Sequence, residues 1–126
     1  MKSYTDLEQS KKLAEILPIE SADMCWVTDE IEPLWGVVKS EPDDNFEVIP
    51  SWSLAALIEA LPLGIAIHNI TDGHKMYYYV EIYTKEIYMK LKRMNKAGIC
   101  LSTERHENLV DACVEMILKL KERNLL

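Results

Sequence analysis

Thiol, carboxylate and imidazole come together at one place in the chain, where Cys100, Glu104 and His106 fall within seven residues. A thiolate nucleophile could be built from such groups. It also needs spatial adjacency to its base, a partner that orients the base, and an oxyanion site. The run "STERHE" (Ser102–Glu107) lies immediately before a helical pattern and is read as a loop with helix-cap chemistry, so catalysis through Cys100 and His106 is the lesser alternative. The other histidines, His68 and His74, flank a turn signal, and a hairpin would bring them near each other, with Asp72 as the nearest third ligand. Their spacing is not that of a zinc site. The expectation is a strand histidine and a turn histidine with no metal. Tyrosines at 77, 78, 79 and 83 with lysines on either side resemble a stacking platform for single-stranded nucleic acid. Half-buried tyrosines packed on a strand are the plainer reading. The four glycines are scattered and form no phosphate-cradling loop, so no cofactor is expected.

The charge distribution narrows the partners. The chain of 126 residues carries 21 acidic and 14 basic side chains, a net charge of −7. Seven acids between Asp29 and Glu47 face one Lys39, whereas Lys75–Lys96 holds six basic residues against Glu81 and Glu86. Phosphate neutralisation needs a concentrated basic surface, which makes nucleic acid an improbable partner. Both runs are read as solvated surface, and the carboxylates of the acidic run as ordinary ones, because general acid–base work requires one pKa raised by burial. The odd cysteine count (Cys25, Cys100, Cys113), without a C-x-x-C pair and inside apolar runs, fits reduced core thiols in a cytosol. The opening "MKSYTDLEQSKK" has no apolar core of a signal peptide. The longest uncharged stretch is about a dozen residues, too short for a membrane-spanning helix. A cytoplasmic protein is expected.

The elements that must position these groups follow from periodicity. Thr5-x-x-Glu8 has capping-box form, and Leu7, Leu13, Ala14, Ile16 and Leu17 make the apolar stripe of a first helix that Pro18 stops. "MCWV" (24–27) and "LWGVVK" (34–39) read as a pair of antiparallel strands, and "SEPDDNF" as an acidic loop. A second helix, Leu54–Leu61, is capped by Ser51 or Ser53 and ended by Pro62; with one charge, Glu59, it must be covered on nearly every side. "LGIAIHNI" and "KMYYYVEIY" form strands around an Asp-Gly turn, with Met76, Tyr78, Val80 and Ile82 on one face. Segment 84–97 carries both a helical and an alternating pattern; the strand reading is adopted because it extends the meander toward "GICL" (98–101). The last helix starts at Asn108, with Asp111 in its first turn. Leu109, Ala112, Cys113, Met116, Ile117 and Leu120 form its main stripe and Val110, Val114 and Leu118 a second row. So wide an apolar face needs cover on two sides, and a second copy of the chain is one source of it.

"LAEILPIE" (13–20) and "LIEALPLG" (57–64), 44 positions apart, both halt an apolar helix with proline and pass the chain toward a strand. They are read as a boundary device with Glu15 and Glu59 pointing outward. Three segments, "EQSKKLAEILPIESADMCW", "IPSWSLAALIEALP" and "NLVDACVEMILKLKERNLL", resemble small proteins carried by prophages and mobile elements of gut anaerobic bacteria. The resemblance implies a mobile-element origin and a compact α+β domain, and it hands over no catalytic residue.

The expected fold is therefore one α+β domain over 1–126, a mostly antiparallel sheet of about four to six short strands with three helices, the C-terminal one packed centrally. The expected function is a non-catalytic interaction protein that binds an unknown protein partner or pairs as a homodimer, using neither cofactor nor membrane. Its surface would include Val110, Val114 and Leu118 on the last helix and Asp43 and Asp44 in the acidic loop. Two alternatives stand: an acidic mimic of nucleic acid that inhibits a host DNA- or RNA-acting protein through 29–47, and the enzyme built on Cys100 and His106.

Overall fold

The structure, a computed structural model, describes residues 2–29, 36–38, 46–62, 64–82 and 101–126. The chain divides into two compact units, 1–60 and 61–126. The acidic loop around Asp43 and Asp44, the ambiguous segment 84–97, and Cys100 all lie outside the described residues.

The first unit begins with helix α1 (Leu7–Ala14), whose N-cap is Asp6 and not Thr5. Gln9 N–H donates to Asp6 Oδ1 at 2.8 Å and Asp6 N–H donates to Gln9 Oε1 at 3.1 Å, a reciprocal capping box one residue later than expected. The helix is also shorter than its apolar stripe suggested, and Leu17 N–H closes the final turn on Leu13 O. After Pro18 a 3₁₀ turn (Ile19–Ser21) leads into β1 (Met24–Asp29). This strand is the centre of an antiparallel sheet ordered β2-β1-β3, with β2 at Gly36–Val38 and β3 at Phe46–Ser51. In register, Trp26 stands between Val37 and Ile49.

Strand β3 was not expected: its sequence, "FEVIPS", carries Pro50 and follows an acidic loop. Proline lacks an amide donor, yet an edge strand needs donors on one side only, and among the described strands β3 is at the sheet edge. Helix α2 (Leu54–Ala60) follows at once, with Ser53 Oγ accepting from Ala56 N–H at 3.2 Å. The expectation that α2 is covered on nearly every side fails. Ala56 and Leu57 are buried, but Ala55, Ile58 and Glu59 are exposed.

A knot of small hydroxyls ties this unit together. The N-terminal residues pair with the chain entering α2, through Thr5 N–H to Trp52 O and Leu54 N–H to Ser3 O, each 2.9 Å. Thr5 Oγ1 lies 2.7 Å from Ser10 Oγ and 3.1 Å from Ser51 Oγ, and accepts from Trp52 N–H at 3.1 Å. Thr5, Ser10 and Ser51 are fully buried. Trp26 Nε1–H donates to Thr5 O at 3.1 Å, and Trp52 Nε1–H to Ser21 Oγ at 2.9 Å.

In the second unit, β4 (Ile65–Asp72) and β5 (Lys75–Ile82) form an antiparallel hairpin. Asp72 pairs with Lys75 across a two-residue loop, and Gly73 takes φ 64° at its first position, where a type II′ turn requires glycine. Residues 102–106, part of the Ser102–Glu107 run read from sequence as loop and cap, instead run antiparallel beside β5. Ser102 bridges to Glu81 and His106 to Tyr78. The register slips by one residue between those bridges, the mark of a β-bulge. At the slip Val80 N–H donates to Thr103 Oγ1 at 2.9 Å instead of to a carbonyl.

Helix α3 (Leu109–Glu122) packs on β5. Asn108 Oδ1 accepts from Val110 N–H at 2.8 Å, the expected N-cap. At the other end Asn124 adopts φ 54° and Leu125 N–H reaches Leu120 O at 2.9 Å, a Schellman closure that ends this helix without proline. Ala112, Cys113, Met116, Ile117 and Leu120 are fully buried, as the main stripe requires.

The architecture is thus α+β, with antiparallel strand pairs and three α-helices among the described residues. The difference from expectation is that the described strands make two small sheets, of three and two strands, where one sheet was anticipated.

Candidate functional site

Beside the bulge, the second unit gathers its polar chemistry. The β5 pairing carries His106 toward α3, and α3 presents Glu115 and Lys119 one turn apart. His106 Nε2 lies 2.7 Å from Glu115 Oε1, and Lys119 Nζ lies 3.1 Å from Glu115 Oε2. Glu104 N–H donates to both carboxylate oxygens, at 3.3 and 3.1 Å. Lys119 Nζ also donates to Ser102 O at 2.9 Å. Glu115 therefore receives donors from three residues, and the cluster fastens 101–106 to the helix.

Burial alone would push the Glu115 carboxyl up. The hydrogen bonds from His106, Lys119 and Glu104 N–H, with the charge of Lys119, outweigh that and hold it below the usual carboxylate range. A depressed folded-state pKa stabilises the fold above the unfolded pKa of glutamate, and that contribution disappears as pH falls through the folded value. Glu115→Gln is expected to cost about 1–2 kcal/mol at neutral pH, with the difference from the parent closing as pH falls below about 4. Urea unfolding across a pH series checks this; a gap that persists in acid would mean the carboxylate charge is not the cause.

A histidine oriented by a carboxylate is half of a familiar catalytic arrangement. Among the described residues, however, Glu115 is the sole side-chain partner of the His106 ring. Glu104, grouped from sequence with Cys100 and His106, contributes its backbone N–H, while its side chain is exposed. Cys113 is fully buried, and desolvation pushes its thiol up to about 11. A protonated, inaccessible thiol is a poor nucleophile. At pH 8, peptide mapping after iodoacetamide is expected to find Cys113 unmodified in the folded protein and modified once the protein is denatured; labelling at equal rates in both states would contradict the burial.

The hairpin does not join His68 to His74. His68 pairs opposite Tyr79, four residue steps, about 13 Å of strand, from the Asp72–Lys75 closure. His68 stacks on the Tyr79 ring, centroids 4.6 Å apart and 13° from parallel. Its Nε2 lies 3.3 Å from Glu81 Oε2. The stacking covers one face of the tyrosine that a nucleobase would need. Among the described residues no group of three metal-ligating side chains converges.

The second apolar row of α3 is already covered. Val110 and Val114 are 0% and 4% exposed and Leu118 is half-buried. Of the surface residues expected from sequence, these valines offer no contact area, and Asp43 and Asp44 lie outside the described residues.

The first unit contributes an open groove of about 420 Å³ between the end of the 3₁₀ turn and α2. Its lining includes Glu20, Asp23, Ala55, Ala56, Glu59 and Ala60. Asp23 is committed to the fold: it accepts from Ser53 N–H at 2.8 Å and from the Ser53 hydroxyl. Glu20 and Glu59 are exposed, and among the described residues neither has a side-chain partner. Ile19 and Ile58, their neighbours in the chain, are 63% and 43% exposed.

Among the described residues the fold is α+β, and the His106–Glu115–Lys119 and Asp23–Ser53 contacts join parts of the same unit. No family model, curated protein or solved structure matches the chain. Among the described residues no helix is long and apolar enough to cross a membrane.

Proposed function

We propose that the protein acts without catalysis, as an accessory of a phage or other mobile element that presents a surface to a protein partner. The mobile-element setting draws on the resemblance of its helical segments, which cover both ends and the middle of the chain. The observation that supports an interaction role is a contrast in how side chains are used. Among the described residues, chemically capable groups are spent internally in His106–Glu115–Lys119 and Asp23–Ser53 and at the buried Cys113. Large apolar groups, by contrast, remain outside at Ile19 and Ile58, beside an open groove. Apolar side chains next to a concavity are where partners gain most of their binding energy.

A photo-reactive residue placed at position 58, with a control at the exposed position 121, tests this inside the cell that carries the protein. One defined polypeptide joined at position 58 and not at 121 is the expected product. Equal products at both positions, or none at either, would overturn the reading.

A homodimer through α3 loses its motive, because Val110 and Val114 leave a second copy little to bury. Light scattering at micromolar concentration is expected to return the monomer mass of 14.5 kDa. A doubled mass would show that another face pairs.

A further inference from the structure

The groove of the first unit has a floor and a rim of different chemistry. Ala55, Ala56 and Ala60 line it from α2 and carry no side-chain atom beyond Cβ, so an incoming chain can approach that helix closely. Three carboxylate residues share this lining: Glu20 from the 3₁₀ turn, Asp23 just after it, and Glu59 from α2. The Asp23 oxygens are occupied by hydrogen bonds from Ser53, whereas the Glu20 and Glu59 side chains are exposed and have no side-chain partner among the described residues. Next to each free carboxylate the chain exposes an isoleucine, Ile19 and Ile58.

We propose that this groove is the docking site for a cationic, amphipathic segment of a partner protein, taking a lysine or arginine between Glu20 and Glu59 and apolar neighbours against Ile19 and Ile58. The charge complementarity selects the occupant. A Lys or Arg side chain has an apolar stem and a charged head. Its stem matches the alanine floor and its head the two unpaired carboxylates. An anionic segment or a phosphate backbone would meet uncompensated negative charge, which costs affinity and slows encounter. A lone divalent ion fits poorly, since no trio of ligating side chains converges among the described residues. The inference rests on the interaction reading above and names the chemistry of its partner.

The test is a ¹H–¹⁵N NMR titration of the whole protein with two short probe peptides, one alternating lysine with leucine and the other glutamate with leucine. The lysine peptide is expected to move the amides of Glu20, Ser21, Ala55, Ala56 and Ala60 saturably, and the glutamate peptide to leave them in place. In the double variant Glu20→Lys/Glu59→Lys, binding of the lysine peptide is expected to weaken about tenfold or more. Both positions are exposed, and unchanged circular dichroism would show that the variant is folded. Shifts that scatter away from the groove, equal response to both peptides, or unchanged affinity in the double variant would each overturn the groove assignment. The cross-linking at position 58 separates the two failures. A partner captured there whose contacting segment is acidic would sink the cationic occupant and leave the interaction role standing, while capture of no polypeptide would remove the role itself.

Discussion

Trp52→Ala is expected to lower the unfolding free energy by about 3–5 kcal/mol, a large share of the 5–15 kcal/mol that holds a typical domain folded. Trp52 is the largest fully buried side chain among the described residues of the first unit. Three separate links meet at this residue. Its ring leaves a cavity when truncated, and a tightly packed interior relaxes only partly around such a loss. Its indole N–H donates to Ser21 Oγ, whose hydroxyl donates onward to Pro18 O at 2.6 Å, so the tryptophan also fixes the 3₁₀ turn that walls the groove. Its backbone exchanges bonds with Thr5, N–H to Thr5 Oγ1 and carbonyl from Thr5 N–H. Trp52→Phe separates these contributions, since it keeps an aromatic body and loses the indole donor; it is expected to cost about 1–2 kcal/mol. Urea unfolding followed by far-ultraviolet circular dichroism gives both numbers. Alanine and phenylalanine variants of equal stability would mean that the volume of the ring is not what matters.

How far the fold could be read from sequence depended on where each decision was made. Helix α3 was legible because everything that specifies it is local: an Asn108 cap, a stripe at helical spacing, and length enough to show the period. The β4–β5 hairpin was legible for the same reason, through Gly73 and the alternation on either side. Strand β3 was hidden because Pro50 counts against a strand until one knows that β3 is an edge. The tract 101–106 was hidden because its partner, β5, lies some twenty residues back and because the bulge at Thr103 breaks the alternation.

The candidate sites followed the same division. Glu115 and Lys119 stand at i, i+4 among the few polar residues of an apolar helix, a spacing that by itself specifies only their pairing with each other. What sequence could not show is that the strand-like tract delivers His106, Glu104 N–H and Ser102 O onto that seam. The groove was illegible for a simpler reason. Its walls come from residues 20–23 and 55–60, whose approach is set by the sheet and by the Asp23–Ser53 bonds.

The cap of α1 shows local and tertiary demands competing over one residue, and it leads to the second large effect. Two capping boxes overlap in the sequence, Thr5-x-x-Glu8 and Asp6-x-x-Gln9, and either could start the helix. The structure uses the second and sends Thr5 inward. A threonine hydroxyl has one hydrogen to donate and two lone pairs to accept with. Thr5 Oγ1 has three partners, Ser10 Oγ, Ser51 Oγ and Trp52 N–H, so its capacity is filled. Thr5→Val preserves the shape and deletes the hydroxyl, leaving a buried amide and two buried hydroxyls to find other partners. An orphaned buried donor costs more than an average hydrogen bond contributes, so the variant is expected to lose about 2–3 kcal/mol. Thr5→Ser removes a methyl and keeps the hydroxyl, and is expected to lose only about 1 kcal/mol. The order of the two variants is the discriminating result, because packing alone predicts the reverse: valine fills the space of threonine and serine does not. A valine variant at least as stable as the serine variant in urea would show that the hydroxyl knot contributes little and that Thr5 is buried for its volume. The expected order would instead explain why Asp6, and not Thr5, caps the first helix.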